Sequence, residues 1–426
     1  MTIQPHTPQI STELWTCERV DSEDLHEVRC AECGRCGLDN KFTREELEEF
    51  VADVLAHHGV PRVEAETVGR VLVAADLRGI SSHGVARLGR YLNGIEKGTI
   101  RPGVEFVVTE SAPAVGAVDA RHGLGQVAGE YAMKLALDKA ASQGVGAVTV
   151  KNSNHYGIAG FYAKMAIDQG MLGVSMTNSA PLVIPTHGAD AMLGTNPIAL
   201  GVPSAVGRPF LLDMATSVVP RGKLEVHDRN RQQLPTGWAV DEKGFDCQNP
   251  GQVLGNLLER AGGGILPLGG RGELFGGYKG FGLAMLVDML SGVLSGSAFG
   301  ADVNNLERDL PEGEIQAPRV GHFFLAIDPS RFLPAEELAA RADAFAEMVR
   351  GSRKALDQER IYIHGEKEQI RAELHERGGI PVADNVLDTL RRIAAACGVE
   401  PPRPVADVVD RVTPTRATPA EVDGGE

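Results

Sequence analysis

Several things are scarce in this 426-residue chain. Aromatic residues make up 5% of it, with two tryptophans, and no apolar run reaches the length that a bilayer crossing needs. A membrane-spanning helix is therefore not expected. Positive charge is also short: 42 Lys and Arg stand against 57 Asp and Glu, for a net charge of −15. Nucleic acids and anionic lipid surfaces both call for a basic face, so neither is an expected partner. The opening MTIQPHTPQISTELW lacks a basic stretch followed by an apolar one, so no secretory signal is expected and the cytoplasm is the default compartment.

Cysteine is scarce as well, six in all, but four are crowded together. Cys17, Cys30, Cys33 and Cys36 read C-x12-C-x2-C-x2-C. In a reducing compartment such clustering points to metal thiolates before disulfides. Four thiolates complete a tetrahedral zinc site, which would supply folding energy to a segment too short for a core. The tight run also suits an iron–sulfur cluster, and a tail with incidental cysteines is the third reading. Cys247 and Cys397 stand alone and are expected to be inert.

What is present is ordinary for a globular enzyme: 43% hydrophobic and 23% charged residues, in a chain long enough for two or three lobes. Residues 1–40 show no periodicity. Thr43 and Glu46 then form a capping-box pattern ahead of an apolar stripe of Leu47, Phe50, Val51, Val54 and Leu55. A second helix is expected over Val63 to Leu77. After it comes RGISSHGVARLGRYL, where a helix opening at His83 would bring His83, Arg87 and Tyr91 to one face, with Ser82 beside them. An imidazole, a fixed cation and a phenol together can move a proton, hold a carboxylate and orient a small substrate. The bland alternative is a polar helix start with Ser82 as its cap.

Short β-branched runs follow at Val104–Thr109, Ala114–Val118 and Gly146–Val150. Between the last two lies Gly123-Leu124-Gly125-Gln126-Val127-Ala128, formally G-x-G-x-x-A. The acidic residue of a dinucleotide fingerprint is missing about twenty positions on, so the match is set aside. Strand patterns in MLGVSMT, NPIALGVP and PFLLD end in polar residues, as VGAVTV does: Asn152 to His155, then Thr177, Asn178 and Ser179, then Thr195 and Asn196, then Asp213. Polar strand ends in an α/β sheet are where ligands gather, although Asn, Ser and Gly also simply form turns. The glycine-rich GGYKGFG around Lys279 lets backbone amides approach an anion, yet it is not a P-loop, since Gly280 follows the lysine. The apolar stretch Phe281 to Leu294 is expected to be a buried core helix, and the tail from Pro401 to be disordered.

Taken in order, RGISSHGVARL, VKNSNHYGIAGFYA, MTNSAPLV, GTNPIALGVP, LLDMATS, RGKLEV, LPLGG and GGYKGFGLAM resemble the malate/L-lactate dehydrogenase family, which also holds ureidoglycolate and sulfolactate dehydrogenases and cyclic-imine reductases. The likeness spans about residues 41–400. It implies a non-Rossmann α/β fold in which helical segments from both chain ends surround an inserted nicotinamide-binding domain. In these terms the chain divides into a Cys-rich extension (1–40), a helical segment with the substrate site (41–110), a cofactor-binding and central region (111–320), a returning segment (321–400) and a tail (401–426). It also implies an intertwined homodimer that oxidises or reduces a small 2-hydroxy/2-oxo acid pair with NAD(H) or NADP(H).

Residue by residue, the resemblance makes His83 the proton donor beside Ser82, with Arg87 on the substrate carboxylate and Tyr91 lining the pocket. His155 becomes a second acid/base. Asn154, Thr177, Asn178, Ser179, Thr195, Asn196, Asp213, Met214, Ala215, Lys279 and Gly280 fall in cofactor-contacting motifs, and Asp213 either orients His83 or meets the cofactor. The chain departs from the family in its Cys-rich extension, in Tyr278 where histidine is common, and in His364-Gly365-Glu366 in place of Pro-Gly-Glu. The last two bear on the choice between NADH and NADPH. A cyclic-imine reductase is the alternative within enzymes. An inactive scaffold carrying a metal-dependent interaction module is the alternative outside them.

Overall fold

The computed structural model describes residues 40–304 and 317–405. Cys17, Cys30, Cys33 and Cys36 lie outside the described residues, as does the tail from 406. β1 (Lys41–Phe42) leads into α1 (Arg44–His57). Thr43 caps α1 as its pattern predicts, its Oγ1 accepting the Glu46 N–H at 3.2 Å. The return half of the capping box is not made. Glu46 instead accepts from the backbone N–H and the Nε of Arg403, at 2.9 and 3.2 Å. The apolar stripe of α1 is buried, and so are Val68, Val71, Leu72 and Ala75 of α2 (Arg62–Leu77).

The helix expected to open at His83 starts later. Ser81–His83 and Val85–Arg87 form two 3-10 turns, and α3 runs over Leu88–Glu96. The interruption is at Gly84, which is extended at φ −87°, ψ −152°. Its backbone lies on the Asp76 carboxylate so closely that a Cβ there would sit 1.9 Å from Asp76 Oδ1. Asp76 Oδ2 accepts the Val85 N–H at 2.7 Å. A side chain from α2 thus takes an amide that a continuous helix would have used. His83, Arg87 and Tyr91 therefore do not share one helical face; a bent loop and the start of α3 present them.

The central region supplies β2 (Val107–Ala112), β3 (Val115–Asp119), α4 (Gly125–Gln143), β4 (Val145–Ser153), α5 (Ala159–Ile167), β5 (Leu172–Thr177), β6 (Ile198–Val202) and β7 (Phe210–Met214). Next come α6 (Arg221–Arg229), β8 (Ala239–Val240), α7 (Pro250–Glu259), β9 (Gly264–Ile265) and α8 (Gly277–Asp288). The chain returns through β10 (Val320–Ile327), α9 (Ala335–Arg350), α10 (Glu366–Gly378), β11 (Ile380–Pro381) and α11 (Asp384–Cys397). One sheet has the order β2-β3-β4-β10-β5-β6-β7. Only β3 and β4 pair in parallel, and β10 enters antiparallel to both neighbours, with Phe324 opposite Val148 and Ser175. That order is not a doubly wound nucleotide sheet. In the G-x-G-x-x-A turn, a Cβ on Gly125 would meet the Asn154 carbonyl oxygen at 2.2 Å, so this glycine serves chain-on-chain packing.

The two ends of the chain share one core. Phe42, Leu47, Leu72, Leu88 and Tyr91 pack with Ile380, Leu387, Leu390 and Ala394, and Phe42 pairs with Ile380 across β1 and β11. A second core lies between α4, α5 and the sheet, and a third gathers Val183, Val219, Leu224, Leu257, Ile265 and Ala284. The architecture is the non-Rossmann α/β arrangement that the resemblance implies, with helical segments from both ends around a central sheet. One expectation fails. α8 runs on into a π-helical turn at Met289–Val293, and Met285, Leu286, Met289, Val293 and Leu294 are between 38% and 60% exposed. Its Ala284 and Val287 side is buried, and the opposite side is left exposed among the described residues. Among the described residues no helix is long and apolar enough to cross a membrane.

Candidate active site

Residues from α3, from the loop ahead of it and from the loop after β4 converge. The His83 and His155 rings stack with centroids 5.6 Å apart and planes 26° from parallel. Ser82 Oγ lies 2.9 Å from His83 Nδ1. The Tyr91 hydroxyl lies 2.8 Å from His155 Nδ1, which also accepts the Gly157 N–H at 3.3 Å. Arg87 Nε donates to the Ser82 carbonyl at 2.6 Å, so a carboxylate clamp would use the terminal nitrogens of that guanidinium. Ser82, His83, Arg87, Tyr91 and His155, named from sequence, are thus brought together.

The electrostatics differ from an unperturbed histidine pair. Burial, then the cations of Arg87 and Arg90, lower His83 to about 4. Burial, then Arg90, His83 and Arg87, hold His155 well below its ordinary range. Tyr91 is pushed up to about 12 by burial. Both imidazoles are therefore neutral at physiological pH, ready to accept a proton or to donate a hydrogen bond. An anion bound beside Arg87 would offset that cation and raise His83 again.

The polar strand ends lie close by, but many of their side chains are occupied. Asn178 Nδ2 donates to Asp288 Oδ1 at 2.9 Å and Asn196 Nδ2 to Asp288 Oδ2 at 3.0 Å. Asn196 Oδ1 accepts the Ser179 N–H at 3.2 Å, and the Thr216 N–H goes to the Thr195 carbonyl. Thr177 Oγ1 lies 2.7 Å from His322 Nδ1, whose other ring nitrogen is 2.8 Å from Ser153 Oγ. His322 stacks flat on Tyr156, and burial lowers it to about 3. Asp288 and His322 were not singled out from sequence. The signal was there: each is a lone polar residue in an otherwise apolar run.

Other polar atoms are open. Asn154 Nδ2 donates to the His122 and Gly123 carbonyls, while its Oδ1 is buried without a hydrogen-bond partner, as is Ser179 Oγ. Lys279 is exposed in the first turn of α8, whose N-cap, Gly276, offers no side chain to the helix amides. Gly280 packs so tightly that a Cβ would meet the Leu268 carbonyl oxygen at 2.2 Å. Orphaned polar atoms at two strand ends and an uncapped glycine-rich helix start with an exposed lysine are the kinds of group that a nicotinamide dinucleotide would use, the helix start suiting an anion such as its diphosphate.

Asp213, on β7 one residue before Met214 and two before Ala215, accepts the Gly160 N–H at 2.7 Å. It faces a cavity of about 310 Å³ lined by Arg78, Ile80, Leu211, Tyr362 and His364. Crowding by protein pushes its carboxyl up to about 6, against the pull of the Gly160 N–H and of Arg78. It makes no hydrogen bond to His83 among the described residues. No group of three or more His, Cys, Asp or Glu is placed to hold a metal among them either.

Comparison with known proteins agrees with this fold. The family model described as malate/L-lactate dehydrogenase matches residues 42–391. A malate dehydrogenase of Pyrococcus abyssi is 47% identical over 360 residues, covering 84% of this chain and 96% of the relative. An L-sulfolactate dehydrogenase of Methanocaldococcus jannaschii is 35% identical over 83% of this chain and 96% of its own. The solved malate dehydrogenase of Pyrococcus horikoshii matches with a TM-score of 0.76 and 44% identity, over 85% of this chain and 96% of that one. A Δ1-piperideine-2-carboxylate reductase from Pseudomonas syringae matches with a TM-score of 0.72 and 28% identity, over 83% and 99%. With the family model over most of its length and relatives up to 47% identical across nearly their whole chains, this chain belongs to the malate/L-lactate dehydrogenase family.

Proposed function

We propose that this protein interconverts a small 2-hydroxy acid and its 2-oxo acid. The observation that carries it is the pair of stacked, neutral imidazoles beside Arg87. In the oxidative direction the substrate C2 gives up its hydrogen as hydride, the hydroxyl proton passes to His83, and a C2=O bond remains. Ser179, Asp213 to Ala215 and the start of α8 would hold NAD or NADP, which would supply the hydride acceptor or donor. Arg87 holds the substrate carboxylate and so sets which face of C2 is presented. Malate and sulfolactate relatives support 2-hydroxy acids as the substrate class. The piperideine-carboxylate reductase supports a second reading, reduction of a cyclic C=N bond in the same pocket. Family membership and the intact His83, Arg87 and Lys279 leave no support for an inactive scaffold.

We also infer a homodimer, because the uncovered apolar side of α8 needs a cover and α9 buries none of its own residues. The test of function is a screen of malate, lactate, sulfolactate and ureidoglycolate with NAD+ and NADP+, alongside Δ1-piperideine-2-carboxylate with the reduced cofactors. His83→Ala is expected to keep cofactor affinity and to lower turnover on the best substrate by ~100-fold or more. Near-normal turnover in that variant would remove His83 from the chemistry.

A further inference from the structure

His155 carries two hydrogen-bond contacts on one ring nitrogen. The Gly157 N–H reaches Nδ1 at 3.3 Å, and the Tyr91 hydroxyl lies 2.8 Å from the same atom. A backbone N–H can only donate, so Nδ1 turns its lone pair toward it, but at 3.3 Å that contact is long and holds the tautomer only weakly without a second donor. The Tyr91 hydroxyl then donates its own proton to Nδ1, and the single proton of the neutral ring is left on Nε2. Among the described residues no side chain or backbone group bonds to Nε2, and that atom is not sealed from solvent. His83 is different. Its Nδ1 faces the Ser82 hydroxyl, which can donate or accept, so either tautomer is available to it.

We propose that Tyr91 is a positioning residue that locks His155 as the Nε2–H tautomer, so that His155 donates a hydrogen bond to the C2 oxygen while His83 alone exchanges the proton. The proposal deepens the 2-hydroxy acid reading and rests on it for the word substrate. The tautomer itself can be read without turnover. As the alcohol proton leaves to His83, negative charge grows on the C2 oxygen, and a fixed N–H aimed there stabilises it without reorganising.

The test uses the full chain with ring-15N histidine, and long-range proton–nitrogen correlation to tell protonated from unprotonated ring nitrogens. Wild type is expected to show His155 protonated on Nε2 at neutral pH. In Tyr91→Phe a mixture of tautomers is expected, with kcat lowered tenfold or more and KM for the hydroxy acid little changed. His155→Gln, whose amide N–H reaches the Nε2 position, is expected to retain more turnover than His155→Asn. A wild-type His155 protonated on Nδ1 overturns the lock. An unchanged tautomer and kcat in Tyr91→Phe overturns the role of Tyr91, and equal turnover of the Gln and Asn variants overturns the donor role. Absence of any hydroxy acid oxidation in wild type would strike the function instead, and the ring spectrum would still decide the lock.

Discussion

Gly84→Ala puts the loop that carries His83 and Arg87 under direct test. The added Cβ would lie 1.9 Å from Asp76 Oδ1 and 2.1 Å from its Cγ and Oδ2. That is about 1.5 Å inside ordinary van der Waals contact, so the carboxylate or the loop must retreat. Asp76 cannot retreat freely, because it is buried in α2 and its Oδ2 accepts the Val85 N–H at 2.7 Å. Overpacking costs ~1–3 kcal/mol, and losing that bond leaves a buried donor and acceptor unsatisfied for ~1–3 more. A destabilisation of about 3 kcal/mol is expected in urea unfolding, where folding permits the measurement. If the loop yields instead, His83 and Arg87 move by about an ångström and kcat/KM falls by ~100-fold. Gly89→Ala, five residues on, is the control. Its nearest heavy atom is Ile393 Cδ1 at 4.0 Å, and the site is in α3, so alanine should add up to ~1 kcal/mol and leave kcat alone. Wild-type stability together with wild-type kcat/KM in Gly84→Ala would refute the packing argument.

Three further outcomes follow from the same interior. Burial raises Asp76 to about 7, against the pull of the Val85 N–H, so the folded state binds more protons than the unfolded state does between about pH 4 and 7. Stability is then full at low pH and declines as pH rises through that window, by at most ~4 kcal/mol. Asp76→Asn keeps an oxygen for Val85 and removes the slope, so its melting temperature should gain on wild type between about pH 4 and 7; a constant gap over that window argues against the assignment. Asp288→Ala takes one of two acceptors from the Nδ2 groups of Asn178 and Asn196, which keep the Ala298 and Ala284 carbonyls, and should cost ~3 kcal/mol in chemical denaturation; a loss under about 1 kcal/mol would deny the network. Arg87→Lys keeps the charge but not the fork. It should raise KM for the hydroxy acid at least ~10-fold by steady-state kinetics, and an unchanged KM would exclude a two-point grip on the carboxylate.

Local features were legible in the chain and distant ones were not. The Thr43 cap, the stripes of α1 and α2 and the β-branched strands are written in neighbouring residues, and they form as read except that β2 starts three residues later than expected, at Val107. Ser82, His83, Arg87, Tyr91 and His155 meet because the ordered motifs carry them. The break at Gly84 could not be seen, since its cause is Asp76 on another helix. Nor could the seat of β10 between β4 and β5, where His322 reaches a Ser153 hydroxyl 169 positions away. Asn178 and Asn196 read as ligand-facing strand ends, yet their amides turn to Asp288. Composition made α8 apolar all round and could not tell which side its own chain would cover.

The shared core of the two chain ends has a consequence for how this enzyme is made. The Asn40 side chain donates to Asp384, 344 positions later, and the floor beneath the His83 loop includes Leu387, Leu390 and Ala394. On a ribosome, α1 and α2 can pack on each other as they emerge, but the rest of their shared core must wait for almost the whole chain before that floor can close. Contacts so distant in sequence are slow to form, and exposed apolar stripes invite aggregation while they wait. Chaperone dependence should therefore fall on the first hundred residues, and a ribosome-stalled chain lacking α11 should hold a folded sheet but an unformed catalytic loop.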